Sequence, residues 1–203
     1  MQSLTAAGFT DVGKKRTENQ DSFVLLPEHE LYVVADGMGG HKGGAVASQL
    51  SVKTISEYFQ KTVSDNLQPS LRLKNAIELA NAEILKQSQA DESLRGMGTT
   101  TVALYFHQER LYIGHVGDSR GYLCLPHRIW QITHDHSLVQ EKLRAGIITR
   151  EQIKTDKMKH VLTRSVGVES NIKVDIYDLE THTGDVFVIC SDGLHGLVED
   201  KVI

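Results

Sequence analysis

The sequence predicts an α+β protein in which antiparallel sheets pack on one another and helices lie outside. Three observations carry this expectation. Apolar runs follow in hairpin-like succession, Thr100 to Phe106 and then Arg110 to Val116 across the turn His107-Gln108-Glu109, which favours antiparallel pairing over a doubly wound parallel sheet. The runs "LYVVA" and "VFVIC" are apolar at nearly every position, as in strands covered on both faces. Two amphipathic patterns interrupt the strands: Val52, Ile55, Phe59 and Val63 share one helical face, and Leu73, Ala76, Ile77, Ala80 and Ile84 share another.

Taken in order, strands are expected at Thr5 to Val12, Ser22 to Leu26, Leu31 to Ala35, Thr100 to Phe106, Arg110 to Val116, Gly121 to Leu125 and Val186 to Cys190, each bounded by turn residues. Arg128 to Ile132 is a weaker candidate, and so is Lys173 to Leu179, where Val174, Ile176 and Leu179 keep a period of two only in part. Short helices are expected from Ser137 to Ala145, with Ser137 at its start and Gly146 at its end, and from Arg150 to Lys154. No internal repeat or low-complexity linker divides the chain. Its 203 residues, 40% hydrophobic and 24% charged, are read as a single domain.

Lys plus Arg number 22 against 26 Asp plus Glu, a formal charge of -4 without blocks of one sign, so no nucleic-acid footprint is present. No apolar stretch approaches the roughly 20 residues that span a bilayer, and the start lacks the layout of a signal peptide, so the expectation is a cytoplasmic monomer without a membrane partner. Cys124 and Cys190 lie in apolar strand-like runs and are expected to be buried free thiols.

The strongest chemical signal is Ala35-Asp36-Gly37-Met38-Gly39-Gly40-His41-Lys42-Gly43-Gly44, which closes a strand and opens a helix. Glycines let backbone approach a ligand closely while the aspartate points at it; the plain alternative is a strand-to-helix turn. A dinucleotide fingerprint would need glycine where Lys42 stands, and a P-loop would need G-K-[ST]. Three more segments join an apolar run to an acidic turn: "IGHVGDSR" with Asp118, "VFVICSDGL" with Asp192, and "RTENQDSF" with Asn19 and Asp21. One such aspartate alone reads as a turn residue, but several converging carboxylates repel unless cations lie among them, and hard oxygen ligands suit Mg²⁺ or Mn²⁺. Arg16, three residues before Asn19, has the planar fork that grips a phosphoryl group; in isolation it reads as half of a surface ion pair. Cys190 has no arginine where a C-x5-R phosphate cradle needs one, which excludes that chemistry there. His134 and His136 flank Asp135 and read as hydrogen-bonding residues rather than zinc ligands.

The ordered series "DVGKKRTENQDSF", "VVADGMGGHKGG", "GMGTTTVALYF", "IGHVGDSRGYL", "THDHSLVQ", "VLTRSVG" and "VICSDGLHGLVED" resembles the metal-dependent serine/threonine protein phosphatases (PPM, type 2C) in their compact bacterial form. The resemblance implies a four-layer α-β-β-α sandwich with two antiparallel sheets face to face. It implies hydrolysis of phosphoserine and phosphothreonine in proteins without a covalent phosphoenzyme, using two Mn²⁺ or Mg²⁺ ions and a third that bacterial members often show. Asp36 would bridge two ions, the Gly37 carbonyl would bind one, Asp192 would bind the other, and Asp21 would act through water. Asp118, with Asp192, would hold the third ion, and Arg16 would grip the substrate phosphate. The implied partners are phosphoproteins, a cognate serine/threonine kinase and its targets among them.

The chain departs from the family pattern in several places. Gln20 replaces a frequent glutamate, and Met38 stands where animal members have a histidine proposed as general acid, a role that His41 or a water would have to fill. Gly146 to about Lys159 would form a flap over the site. The "LVEDKVI" run would begin another helix, and the family's G-G-x-D-N block, with its last metal ligand and closing strands, does not follow. The expectation is therefore a catalytic domain over residues 1–203 that is incomplete at its C-terminus, with a non-catalytic metal- or phosphoprotein-binding fragment as the alternative.

Overall fold

The computed structural model describes residues 4–39 and 42–203. Strands β1 (Asp21–Leu26) and β2 (Leu31–Met38) form a hairpin, and helices α1 (Gly43–Lys61) and α2 (Pro69–Ala90) follow. Next come β3 (Gly98–Thr99), β4 (Thr101–His107), β5 (Arg110–Val116), β6 (Arg120–Leu125) and β7 (Arg128–Gln131). Helices α3 (Leu138–Arg144) and α4 (Arg150–Ile153), strands β8 (Asp175–Glu180) and β9 (Val186–Cys190), and helix α5 (Asp192–His195) complete the order.

Two antiparallel sheets result, as the hairpin succession predicts. The larger has the order β1-β2-β4-β5-β8, with β3 also pairing with β2; the smaller has the order β7-β6-β9. Helices α1 and α2 pack on each other and on one face of the larger sheet, where Ile55, Phe59, Leu73, Ala76, Ile77, Ala80 and Ile84 are all fully buried. The opposite face of that sheet meets the smaller sheet through Tyr32, Val102, Leu104, Leu111 and Ile113 against Leu123, Phe187 and Ile189. Phe106 and Phe187 lock the two layers edge to face at 5.8 Å. The continuous apolarity of "LYVVA" now has its cause: Leu31 and Val33 face the helices while Tyr32 and Val34 face the second sheet. Among the described residues no helix is long and apolar enough to cross a membrane.

Several expectations are corrected. Thr5 to Val12 is not a strand: its backbone joins no ladder among the described residues, and Phe9 is 87% exposed, so an alternating pattern without a partner strand stays coil. Val63 does not belong to the α1 face, because the helix stops at Lys61. There Arg72 of α2 donates to the Phe59 carbonyl at 2.6 Å and its guanidinium lies 4.4 Å from the Phe59 ring centre, which satisfies the helix end from outside. The "VFVIC" run is covered on one face only along its length: Val186 is 54% exposed, while Cys190 is buried. Cys124 is half-buried rather than buried. The "LVEDKVI" run yields a single 3-10 turn, Asp200–Val202, in place of a helix. Gly40 and His41 lie outside the described residues.

Candidate active site

Each sheet delivers a pair of aspartates to one end of the molecule. In the larger sheet Asp21 opens β1 and stands directly opposite Asp36 on β2. In the smaller sheet Arg120 pairs with Cys190. Asp118 precedes Arg120 by two residues and Asp192, which opens α5, follows Cys190 by two, so both lie just past the same end of the ladder, and the Asp192 charge acts on Asp118. Ser191 Oγ donates to Asp21 Oδ2 at 2.7 Å and ties the pairs together. Asp36, Asp118, Asp192 and Arg16 line one cavity of about 430 Å³, with Gln20, Gly37, Met38, Gly39, Thr100, His160 and Leu162 completing its wall.

Like charges set opposite one another across a sheet are unfavourable, and burial adds to the cost. Burial first, then the charges of Asp21 and Asp192, a hydrogen bond with Asp21 and the charge of Asp118 push the Asp36 carboxyl up to about 9. Burial, with Asp192 and Asp135 behind it, pushes Asp118 up to about 6. Among the described residues no lysine or arginine forms an ion pair with any of the four aspartates. The carboxylates line an open wall, and no three acidic, histidine or cysteine side chains close on one point among the described residues. That donor set fits a hard divalent cation that keeps several waters and takes only one or two carboxylates directly.

Local sequence explains how each group is held. Gly37 donates its N–H to the Gln20 carbonyl at 3.0 Å, and a Cβ there would collide with the Gly44 carbonyl oxygen and lie 2.7 Å from the Gln20 carbonyl oxygen. The glycine-rich turn is therefore a packing requirement that brings the start of α1 against the end of β2. Gly37→Ala is expected to cost about 1–3 kcal/mol by overpacking, measurable as a lower urea midpoint with unchanged slope. Arg16 is exposed at the cavity and makes no hydrogen bond or ion pair with a described residue, so the surface ion-pair reading does not hold.

The "THDHS" segment is structural, as expected of hydrogen-bonding histidines. Gly117 N–H donates to His136 Nδ1 at 3.1 Å, which leaves Nε2 protonated to donate to Asp175 at 3.0 Å. Asp135 accepts from Arg120 Nη2 at 2.8 Å and Nε at 3.0 Å, and from Gln131 at 2.8 Å. His134 meets the Tyr177 hydroxyl. The expected flap, Gly146 to Lys159, places none of its residues in the cavity wall; His160 and Leu162, just beyond it, do line the wall.

Sequence reasoning missed Thr100, Ser119, Ser191 and His195, whose Nε2 lies 3.0 Å from the Asp118 carbonyl oxygen. The available signal was adjacency, since Ser119 and Ser191 neighbour the aspartates that were singled out.

Fully buried His115 gives the fold a pH dependence. Its Nε2 donates to the Ser119 carbonyl at 2.9 Å, its Nδ1 has no partner among the described residues, and burial, reinforced by the neighbouring His136, pushes its pKa down to about 4. The unfolded imidazole titrates near about 6.5, so its contribution is complete above that pH and is lost as pH falls toward the folded value. Asp36 and Asp118 act in the opposite sense, so the readout is a difference. The melting-temperature advantage of wild type over His115→Gln in EDTA is expected to shrink between about pH 6.5 and pH 4.5.

Two antiparallel sheets with helices α1 and α2 on one outer face carry, at one end, a cavity lined by aspartates and an arginine. The Protein phosphatase 2C family matches residues 13–202, and the chain belongs to that family. It is 39% identical over 196 residues to the serine/threonine phosphatase stp of Listeria monocytogenes serotype 4b, covering 94% of this chain and 78% of that protein. The fold matches the serine/threonine phosphatase Stp1 from Staphylococcus aureus with a TM-score of 0.85 at 31% identity, over 96% of this chain and 78% of the other. The catalytic domain of the serine/threonine protein phosphatase PstP, solved in complex with two manganese ions, matches with a TM-score of 0.81 at 33% identity, over 94% and 78% of the two chains.

Proposed function

We propose that this chain hydrolyses phosphoserine and phosphothreonine esters in proteins, with Mn²⁺ or Mg²⁺ ions at the aspartate pairs. The observation that carries the reading is the meeting of Asp36, Asp118 and Asp192 with Arg16 in one cavity. Asp36, the Gly37 carbonyl and Asp192 would hold two ions, Asp21 would act through water, and Asp118 with Asp192 would hold a third. Bound there, the cations supply Lewis acidity, lowering the pKa of a water and offsetting charge on the phosphoryl oxygens.

The chain's own groups do the rest. Arg16, exposed at the cavity and without a hydrogen-bond or ion-pair partner among the described residues, can take two phosphoryl oxygens in a bidentate grip. Asp36 would give up its proton to a cation held there, because the burial that holds the proton also strengthens attraction to a cation. Neither thiol competes as a nucleophile: burial pushes Cys190 up to about 11 and raises Cys124 as well. This supports hydrolysis without a covalent phosphoenzyme. In this reading residues 1–203 act as one catalytic domain, a cytoplasmic monomer whose substrates are phosphoproteins, with a cognate serine/threonine kinase and its targets among them.

Phosphate release from a phosphothreonine peptide, with Mn²⁺ and with EDTA, tests the proposal. Release is expected only with Mn²⁺, and Arg16→Ala is expected to lower kcat/KM about 10- to 100-fold, the worth of hydrogen bonds to a charged group. Phosphopeptide binding without release would favour the non-catalytic alternative.

A further inference from the structure

Thr100 links Asp36 of one aspartate pair to the residues that flank Asp118 of the other. It is 2% exposed and immediately precedes β4. Its N–H donates to the Asp36 carbonyl at 2.8 Å, and its Oγ1 accepts from the Asp36 N–H at 2.9 Å, so one residue secures both peptide groups of Asp36. The same Oγ1 lies 2.7 Å from Ser119 Oγ. Its methyl group packs on Gly117, where an added Cβ would come within 2.6 Å of Cγ2. Thr100 thus touches Asp36 on one side and the residues before and after Asp118 on the other. The Ser119 end is anchored in turn, since the Ser119 carbonyl accepts from His115.

The two sheets meet mainly through apolar side chains, which fix a separation loosely compared with a directional hydrogen bond. Asp36 and Asp118 also repel each other. A polar tie beside them that carries no charge holds its length whatever the protonation of the carboxylates. The Ser191 to Asp21 tie ends on a carboxylate, whereas the Thr100 to Ser119 tie does not.

We propose that the Thr100 hydroxyl is a positioning group that sets Asp36 of the larger sheet against Asp118 of the smaller one, and so tunes cation affinity and the rate of hydrolysis. The rate component rests on the phosphatase reading; the affinity component rests on the geometry alone. Valine at this position would keep the shape and the backbone bond but remove the link, while serine would keep the link and lose only the methyl.

The test compares Thr100→Val and Thr100→Ser in the full chain by Mn²⁺ calorimetry, by kcat and KM on a phosphothreonine peptide, and by melting in EDTA. Thr100→Val is expected to weaken Mn²⁺ binding and lower kcat about 10- to 100-fold each, the worth of the two buried hydrogen bonds made by Oγ1, while peptide KM stays within about twofold. Thr100→Ser is expected to recover wild-type values to within about twofold. Ser119→Ala is expected to act in the same direction, and the Thr100→Val, Ser119→Ala double variant to be no worse than Thr100→Val alone. Unchanged Mn²⁺ affinity in Thr100→Val, equal impairment by serine and valine, or additive effects in the double variant would overturn the proposal. If Thr100→Val does not fold, Mn²⁺ affinity in Ser119→Ala decides. Wild-type chain that binds Mn²⁺ but releases no phosphate would defeat the phosphatase reading and leave Thr100 to be judged by calorimetry.

Discussion

Asp36→Asn is expected to raise the melting temperature of the metal-free chain while abolishing Mn²⁺-dependent hydrolysis. The Asp36 carboxyl is pushed up to about 9 by burial and by Asp21, Asp192 and Asp118, whereas an unfolded aspartate titrates near about 3.9. Between those values the folded chain keeps a proton that the unfolded chain has released, so stability falls as pH rises from about 4 to about 9. Asparagine carries no charge to desolvate, and its amide can still donate to Asp21. Each kcal/mol recovered is worth about 2–4 °C in a chain of this size. The gain should grow between pH 6 and pH 9, and saturating Mn²⁺ should stabilise wild type but not the variant. A variant melting below wild type in EDTA at pH 8 would show that Asp36 serves the fold and carries no electrostatic strain.

Asp135→Ala is expected to be the most destabilising single change outside the apolar core. Asp135 is 5% exposed and takes Arg120 through both Nε and Nη2. Removing Asp135 strips a largely buried guanidinium of its two-pronged partner and leaves only the half-exposed Asp200, 3.6 Å from Nη1, as counter-charge, at a cost of about 3 kcal/mol. The effect should reach the site as well, because Arg120 begins β6, pairs with Cys190 and lies two residues from Asp118. Replacing both partners, Arg120→Met with Asp135→Leu, is expected to restore most of the melting temperature, since an apolar pair of similar volume escapes the desolvation cost. Equal losses in the single and double variants would mean that the pair matters through shape rather than charge.

How far the sequence foretold this arrangement depended on whether a feature is local. The ends of β5 and β9 were legible because apolar runs stop at Gly117-Asp118 and Ser191-Asp192, and turn chemistry is written in adjacent residues, whereas β2 runs past the expected end at Ala35 to Met38 because Gly37 and Met38 pair with Thr99 and Gly98. Helices α1 and α2 were legible because a single face is buried at a helical period. Register was not: that Asp21 stands opposite Asp36 depends on the β1-β2 hairpin turn, and that Asp118 and Asp192 leave the smaller sheet at the same end depends on pairing between segments about 70 residues apart. The Thr100 tie was invisible for the same reason, since threonines in an apolar strand read as β-formers until the partner strand is placed. Thr5 to Val12 shows the converse, a local pattern that finds no ladder among the described residues.

The clustered aspartates repel one another in the metal-free chain, and divalent cations are expected to relieve them. Mn²⁺ calorimetry at pH 7.5, run in buffers of different ionisation enthalpy, tests it most directly because it counts protons as well as ions. With Asp36 pushed up to about 9, binding is expected to release close to one proton per chain in wild type and none from that position in Asp36→Asn. Binding without proton release, or identical release from the two proteins, would contradict the account.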